Sequence, residues 1–388
     1  MNKILDGAIS VLDGLVSCNT VSSKSNLNIV DYISSYLRLH NVEPVLIHDE
    51  TGLKANVFAT IGDPSKPGYV LSGHTDVVPI EGQDWKKKPF ALTRDGDRLY
   101  GRGTTDMKGF VACVLAMVPQ LSSLSLERPI HLAFSYDEEV GCHGVHGLIE
   151  HLKNNAATPV AAFIGEPSGM DVVEAHKGSY GMITNVTGLA CHSSRPDIGV
   201  SAINAAVQIV NLLQASAEEF AEKPSTTLAF GLPYTTVGVG VMRGGTARNL
   251  VPGDCRIEWD IRSIQPEERE LVKRRLSTLI EDTLLPEMRA VFEGSRIESE
   301  VVYDVPPLVQ EPDSEAVRLA KRFAGANSAS VIDYGTEAGF FQRAGIPSVV
   351  CGPGSFSEAH IEDEWISVGQ IQKCLDFLEA LVRHAERS

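Results

Sequence analysis

The sequence predicts an α/β fold, a mixed and mostly parallel sheet flanked by helices, carrying an inserted ferredoxin-like βαββαβ domain. Three observations predict it. Helix and strand signals alternate through the first half of the chain, the order changes near Ser179 to strand, helix, strand, strand, helix, strand, and the alternation returns after Pro306-Pro307. At 388 residues the chain also exceeds one ordinary core, so two domains are expected, 1–178 with 305–388 and an inserted 179–304.

The elements follow in order. Ile4, Leu5, Ala8, Ile9, Leu12 and Leu15 recur at helical spacing, interrupted by Asp6 and Asp13. That is an amphipathic helix over 4–16, not the core of a signal peptide. A second helix is expected over 26–40, then apolar strands at 57–61, 69–72, 130–135 and 161–164. The longest apolar run, Phe110 to Val118, is about half the roughly 18 residues of a membrane span and reads as a buried helix.

In the inserted segment, strands are expected at 179–187, 234–242, 255–262 and 296–303, with helices at 199–215 and 266–282. The strand at 255–262 alternates, with Cys255, Ile257, Trp259 and Ile261 on one face and Arg256, Glu258, Asp260 and Arg262 on the other. The last part returns to helices at 313–324, 337–344 and 367–386 and strands at 330–333 and 348–351.

With 43% hydrophobic and 22% charged residues, the composition is that of a globular protein, neither disordered nor membranous. The formal charge of −16 repels phosphate backbones and anionic lipid, which argues against nucleic acid and membrane partners. Seven scattered cysteines, odd in number and without a C-x-x-C pair, indicate neither a disulfide framework nor a thiolate zinc site. They fit a reducing cytoplasm.

Five segments carry candidate chemistry. Ser72-Gly73-His74-Thr75-Asp76 directly follows a strand; His74 is a candidate ligand, and Asp76 a carboxylate able to fix its tautomer. Tyr100 to Gly109 is a glycine-rich turn around Asp106. It lacks the phosphate-loop pattern, so its carboxylate either binds a cation or caps the next helix. Asp137-Glu138-Glu139 closes a buried strand, where neighbouring carboxylates raise one another's pKa unless a cation is present. Gly165-Glu166-Pro167 and Gly352 to His360 lie at two further strand ends, where open α/β sheets place their crevices. Two histidines and several carboxylates form the oxygen and nitrogen set that zinc or cobalt takes.

These segments, in this order and nearly end to end, resemble the acetylornithine deacetylase and succinyl-diaminopimelate desuccinylase family of metallopeptidases, which includes aminoacylases and carboxypeptidases. The resemblance implies two divalent ions, zinc with cobalt as the alternative. His74 and Glu166 would hold one, Glu139 and His360 the other, and Asp106 would bridge them, followed by a cis peptide. It further implies Asp76 behind His74, Glu138 as general base, and His192, in Cys191-His192-Ser193-Ser194, as an oxyanion donor reaching into a partner subunit.

On the same resemblance, the inserted domain is a lid and dimerisation domain of a homodimer, pairing through a helix bearing Ala202, Ala206, Val210 and Leu213 or through a sheet edge. Asn249 and Arg262 match positions that grip a substrate carboxylate, although Arg262 also fits a solvated strand face. Tyr334 to Ala338 resembles the acetylornithine deacetylase form, where Glu337 either pairs with a substrate ammonium or simply charges a helix N-terminus. The implied reaction is hydrolysis of a small N-acyl amino acid, N2-acetyl-L-ornithine to L-ornithine and acetate in arginine biosynthesis. The alternatives are succinyl-diaminopimelate or another aminoacylase or dipeptidase substrate. A non-catalytic metal-binding assembly protein is the reading of a different class.

Overall fold

The structure, a computed structural model, describes residues 3–387. Met1, Asn2 and Ser388, at the ends of the expected 1–178 and 305–388 segments, lie outside the described residues. Two compact units emerge, His176–Val309 with Val331–Gly335, and the remainder. The second unit takes in 305–309 and 331–335 because both return to its first residues. His176 N–H donates to Leu308 O at 3.0 Å, and Lys177 N–H to Ile332 O at 3.4 Å.

In the first unit the sheet runs, edge to edge, Val45–His48, Ala55–Ile61, Ile130–Ser135, Tyr69–His74, Ala161–Pro167, Ser348–Gly352, Val173–His176, Ser330–Ile332. Its four central strands, from Ile130–Ser135 to Ser348–Gly352, are parallel, so their C-terminal ends line up on one edge. All four are buried along their whole length, as parallel strands covered on both faces must be. The cover includes helices Lys3–Ser17, Gly109–Leu121 and Val368–Ala385. Gly109–Leu121 is buried except at Pro119 and Gln120, which confirms the apolar run as core. Among the described residues no helix is long and apolar enough to cross a membrane, and all seven cysteines are free.

The second unit has strands Ser179–Thr187, Thr236–Gly244, Asp254–Arg262 and Arg296–Val305 in one antiparallel sheet, with helices Ala202–Ala221 and Pro266–Thr278. Cys255, Ile257, Trp259 and Ile261 face its core, matching their alternation in sequence. One expectation is corrected. Ala202, Ala206 and Leu213 are at most 1% exposed and join that same core, because the apolar stripe of a helix buries against its own sheet first. They are closed to a second copy, and Val207, 42% exposed, is the outward apolar residue.

His131 illustrates what such burial does to a titratable group. It is fully buried in the central sheet, its Nδ1 2.9 Å from Thr60 Oγ1, and burial pushes its pKa down to about 4. The unfolded chain therefore binds this proton below about pH 6.5 while the folded chain does not, so stability falls as pH drops from there towards 4. In His131→Gln the dependence of unfolding free energy on pH, measured by urea titration between pH 5 and 6, is expected to be shallower by about 1.4 kcal/mol per pH unit. An unchanged slope contradicts this assignment.

Candidate metal centre

Each candidate ligand of the first unit stands at a strand end or in the loop that follows one. His74 ends its strand and is 1% exposed. Its Nδ1 donates to the main-chain carbonyl of Asp76 at 3.0 Å, with the Asp76 carboxylate 3.6 Å away. That leaves Nε2 pointing inward, 2.9 Å from Asp106 Oδ1 and 3.7 Å from Glu166 Oε1. The Asp76 carboxylate, expected to fix His74 directly, instead receives the N–H groups of Glu138 at 3.1 Å and Glu139 at 3.3 Å and the hydroxyl of Ser22 at 2.7 Å. It anchors the loop that carries the two glutamates.

Asp106 offers one oxygen to each histidine, Oδ1 to His74 and Oδ2 to His360 Nε2 at 3.0 Å. His360 also lies 3.1 Å from Glu139 Oε2. Its side chain is 39% exposed against 1% for His74, which puts it at the mouth of the cluster. The peptide Asp106–Met107 is cis. The turn around it needs its glycines. Gly103 adopts φ +84°, and a Cβ on Gly109 would stand 2.4 Å from Thr104 O. Lys108, buried, donates to the carbonyls of Leu15 and Cys18 at the end of the first helix.

The acids crowd. Ligand atoms of His74, Asp106 and Glu139 lie within 4.8 Å of one another, as do those of His74, Glu138 and Glu166. Burial, reinforced by Asp106, pushes the Glu139 carboxyl up to about 7. Burial and neighbouring carboxylates drive Glu166 and Glu138 well above the usual range. At His360 burial opposes the charged form, but hydrogen bonds to Asp106 and Glu139 prevail and lift its pKa to about 11. A negative cluster this tight is neutralised either by protons on its histidines and carboxyls or by cations. The donor set, two imidazoles and carboxylates, fits zinc or cobalt, and the residues present therefore suit such ions.

Glu337, expected either as a substrate contact or as a helix N-terminal charge, takes a buried position. It precedes helix Ala338–Arg343, as a helix N-terminal charge would, but it is 1% exposed and turned inward, its Oε2 accepting from Ser72 Oγ at 3.2 Å. Burial raises its pKa to about 7. Its carboxyl is as buried as His74 and lies beside the cluster, close enough to help raise the Glu138 pKa.

His192, Asn249 and Arg262 belong to the second unit. His192 is exposed, pairs across a two-residue ribbon with Leu250, and has Nδ1 2.8 Å from Ser194 Oγ. Asn249 is beside it, its carbonyl receiving Ser193 N–H at 2.9 Å. Arg262 is partly exposed and bonded to Asp260 at 2.9 Å.

Sequence reasoning missed Glu364. It is 1% exposed, ion-paired with buried Arg102 at 2.8 Å, and accepts the N–H groups of Gly103, Thr105 and Asp106 at 2.9, 2.9 and 3.1 Å. Its only trace in sequence is its place four residues after His360, within an acidic run that otherwise reads as solvated. Lys54 was missed too; it donates to Asp137 at 2.5 Å beside the glutamate loop.

Comparison with known proteins shows the family and the fold. The profile of peptidase family M20/M25/M40 matches residues 70–384. The chain is 31% identical to the acetylornithine deacetylase of Pasteurella multocida over 390 residues, 98% of each chain. Its fold is similar to that of a tripeptidase from Staphylococcus aureus, with TM-score 0.73, 20% identity and 99% of each chain covered. It is also similar to a dinuclear metal-binding peptidase from Bacillus subtilis, with TM-score 0.67, 17% identity and 100% of both chains covered. The chain belongs to peptidase family M20/M25/M40 and is a metal-dependent amidohydrolase.

Proposed function

We propose that the protein hydrolyses the amide bond of N2-acetyl-L-ornithine, releasing L-ornithine and acetate in a cytoplasmic step of arginine biosynthesis. The convergence of His74, Asp106, Glu138, Glu139, Glu166 and His360 from separate strand ends carries the hydrolytic part of this reading. The substrate rests on full-length similarity to proteins named acetylornithine deacetylase.

Zinc or cobalt ions, when bound there, would lower the pKa of a water towards about 7 and polarise the acyl carbonyl. His74 and Glu166 would hold one and Glu139 and His360 the other, with Asp106 shared between them. Glu138 accepts a proton from the attacking water and passes it to the departing amine. Asp76 keeps Glu138 in place through the backbone. His192 donates to the developing oxyanion in a partner subunit's site, and Asn249 and Arg262 take the α-carboxylate. Exposed Met242, Val301 and Val302 on the two edge strands of the second unit favour pairing of two copies there.

The experiment is a panel of N-acyl amino acids given to metal-loaded protein. N2-acetylornithine is expected to give the highest kcat/KM. A preference for succinyl-diaminopimelate or for neutral acyl amino acids contradicts the substrate.

A further inference from the structure

The loop 79–89, between His74 and the small sheet that contains Arg98–Tyr100, holds none of the residues assigned so far. It nevertheless reaches both halves of the site. Gln83 Nε2 donates to the main-chain carbonyl of His360 at 2.7 Å. Its Oε1 accepts from Trp85 Nε1 at 2.9 Å and from the Arg102 guanidinium. Indole and guanidinium nitrogens only donate and a carbonyl only accepts, so this one orientation of the amide satisfies all three partners. Arg102 in turn carries Glu364, whose carboxylate gathers the backbone N–H groups up to Asp106.

His360 needs such a hold. Its φ is +60°, a left-handed conformation that a residue with a Cβ adopts only when its surroundings impose it. Its side chain, 39% exposed, meets the ring of Phe356 and the two carboxylates but leaves the main chain to be held by other contacts. A hydrogen bond to the residue's own carbonyl fixes the peptide plane, and with it the direction of the imidazole.

We propose that Gln83 is a positioning residue of the metal centre. Its amide sets the left-handed backbone of His360 so that the ring meets Asp106 and Glu139, and it ties that loop to the Asp106 loop through Arg102. The proposal rests on the two-metal reading of the site. One consequence is graded: the ion between His360 and Glu139 depends on Gln83 directly, and the ion between His74 and Glu166 only through Asp106.

The test uses full-length Gln83→Leu and Gln83→Glu proteins, stripped of metal and titrated with zinc against a chromophoric chelator beside the wild type. The Glu variant still accepts from Arg102 and Trp85 but turns an acceptor instead of an N–H towards the His360 carbonyl, so it breaks that contact while keeping the other two. Wild type is expected to bind two equivalents. Gln83→Glu is expected to keep one equivalent at wild-type affinity and to bind the other about 10–100-fold more weakly, the usual cost of removing a ligand's supporting partner, and Gln83→Leu, which also releases Arg102, to weaken that same equivalent at least as much. Two equivalents of wild-type affinity in Gln83→Glu, or equal weakening of both, overturns the proposal. A wild type that binds fewer than two equivalents overturns the two-metal reading instead.

Discussion

Glu138→Gln is expected to keep both ions and to lose about three orders of magnitude in kcat, within the 10²–10⁴-fold that a positioned base contributes. The amide preserves the shape of the side chain, and the Asp76 bond to the residue 138 N–H is a backbone contact that the substitution leaves alone. What disappears is a group able to hold a proton. Burial, together with the charges of Glu139 and Asp106, raises the Glu138 pKa, which suits a carboxyl that must carry a proton between two steps of one turnover. The check is kcat on an N-acyl amino acid, paired with metal content of the same sample. Loss of activity with loss of metal would make Glu138 a ligand, and unchanged activity would remove it from the mechanism.

Asp106→Ala is expected to go further, with both ions weakened and no measurable turnover. Among the described residues Asp106 is the one carboxylate in contact with both histidines, and the two remaining sets, His74 with Glu166 and His360 with Glu139, lose their common oxygen donor. The loss in metal affinity should exceed the roughly 10–100-fold that supporting residues cost, because here a direct donor is removed. Metal content after dialysis against a weak chelator decides it. Retention of one tightly held equivalent would show that Asp106 serves a single ion.

Much of this was legible because of one physical regularity. Parallel strands covered on both faces read as apolar runs, so Tyr69–His74, Ile130–Ser135, Ala161–Pro167 and Ser348–Gly352 announce themselves, and a polar residue just past each run stands at the open edge of the sheet. Strand Val45–His48 was not legible, since an exposed or half-buried edge strand leaves no such contrast. The supporting residues were hidden for a different reason. Glu364 and Gln83 act through main-chain groups, Glu364 on Gly103, Thr105 and Asp106 and Gln83 on His360. These contacts span more than 250 residues of chain, and a backbone N–H or carbonyl carries no sequence signature. The left-handed conformations of Asp137 and His360 are equally silent, because neither residue is glycine. The inward turn of Glu337 could not be read either, since a helix N-terminal acid looks the same in sequence whether its carboxyl meets solvent or Ser72.

The account stands on two cations sharing Asp106, and anomalous diffraction at the zinc edge from crystals of zinc-loaded protein tests that directly. Two peaks are expected, one between His74 and Glu166 and one between Glu139 and His360, each in contact with an oxygen of Asp106. A single peak, or peaks away from Asp106, would contradict it.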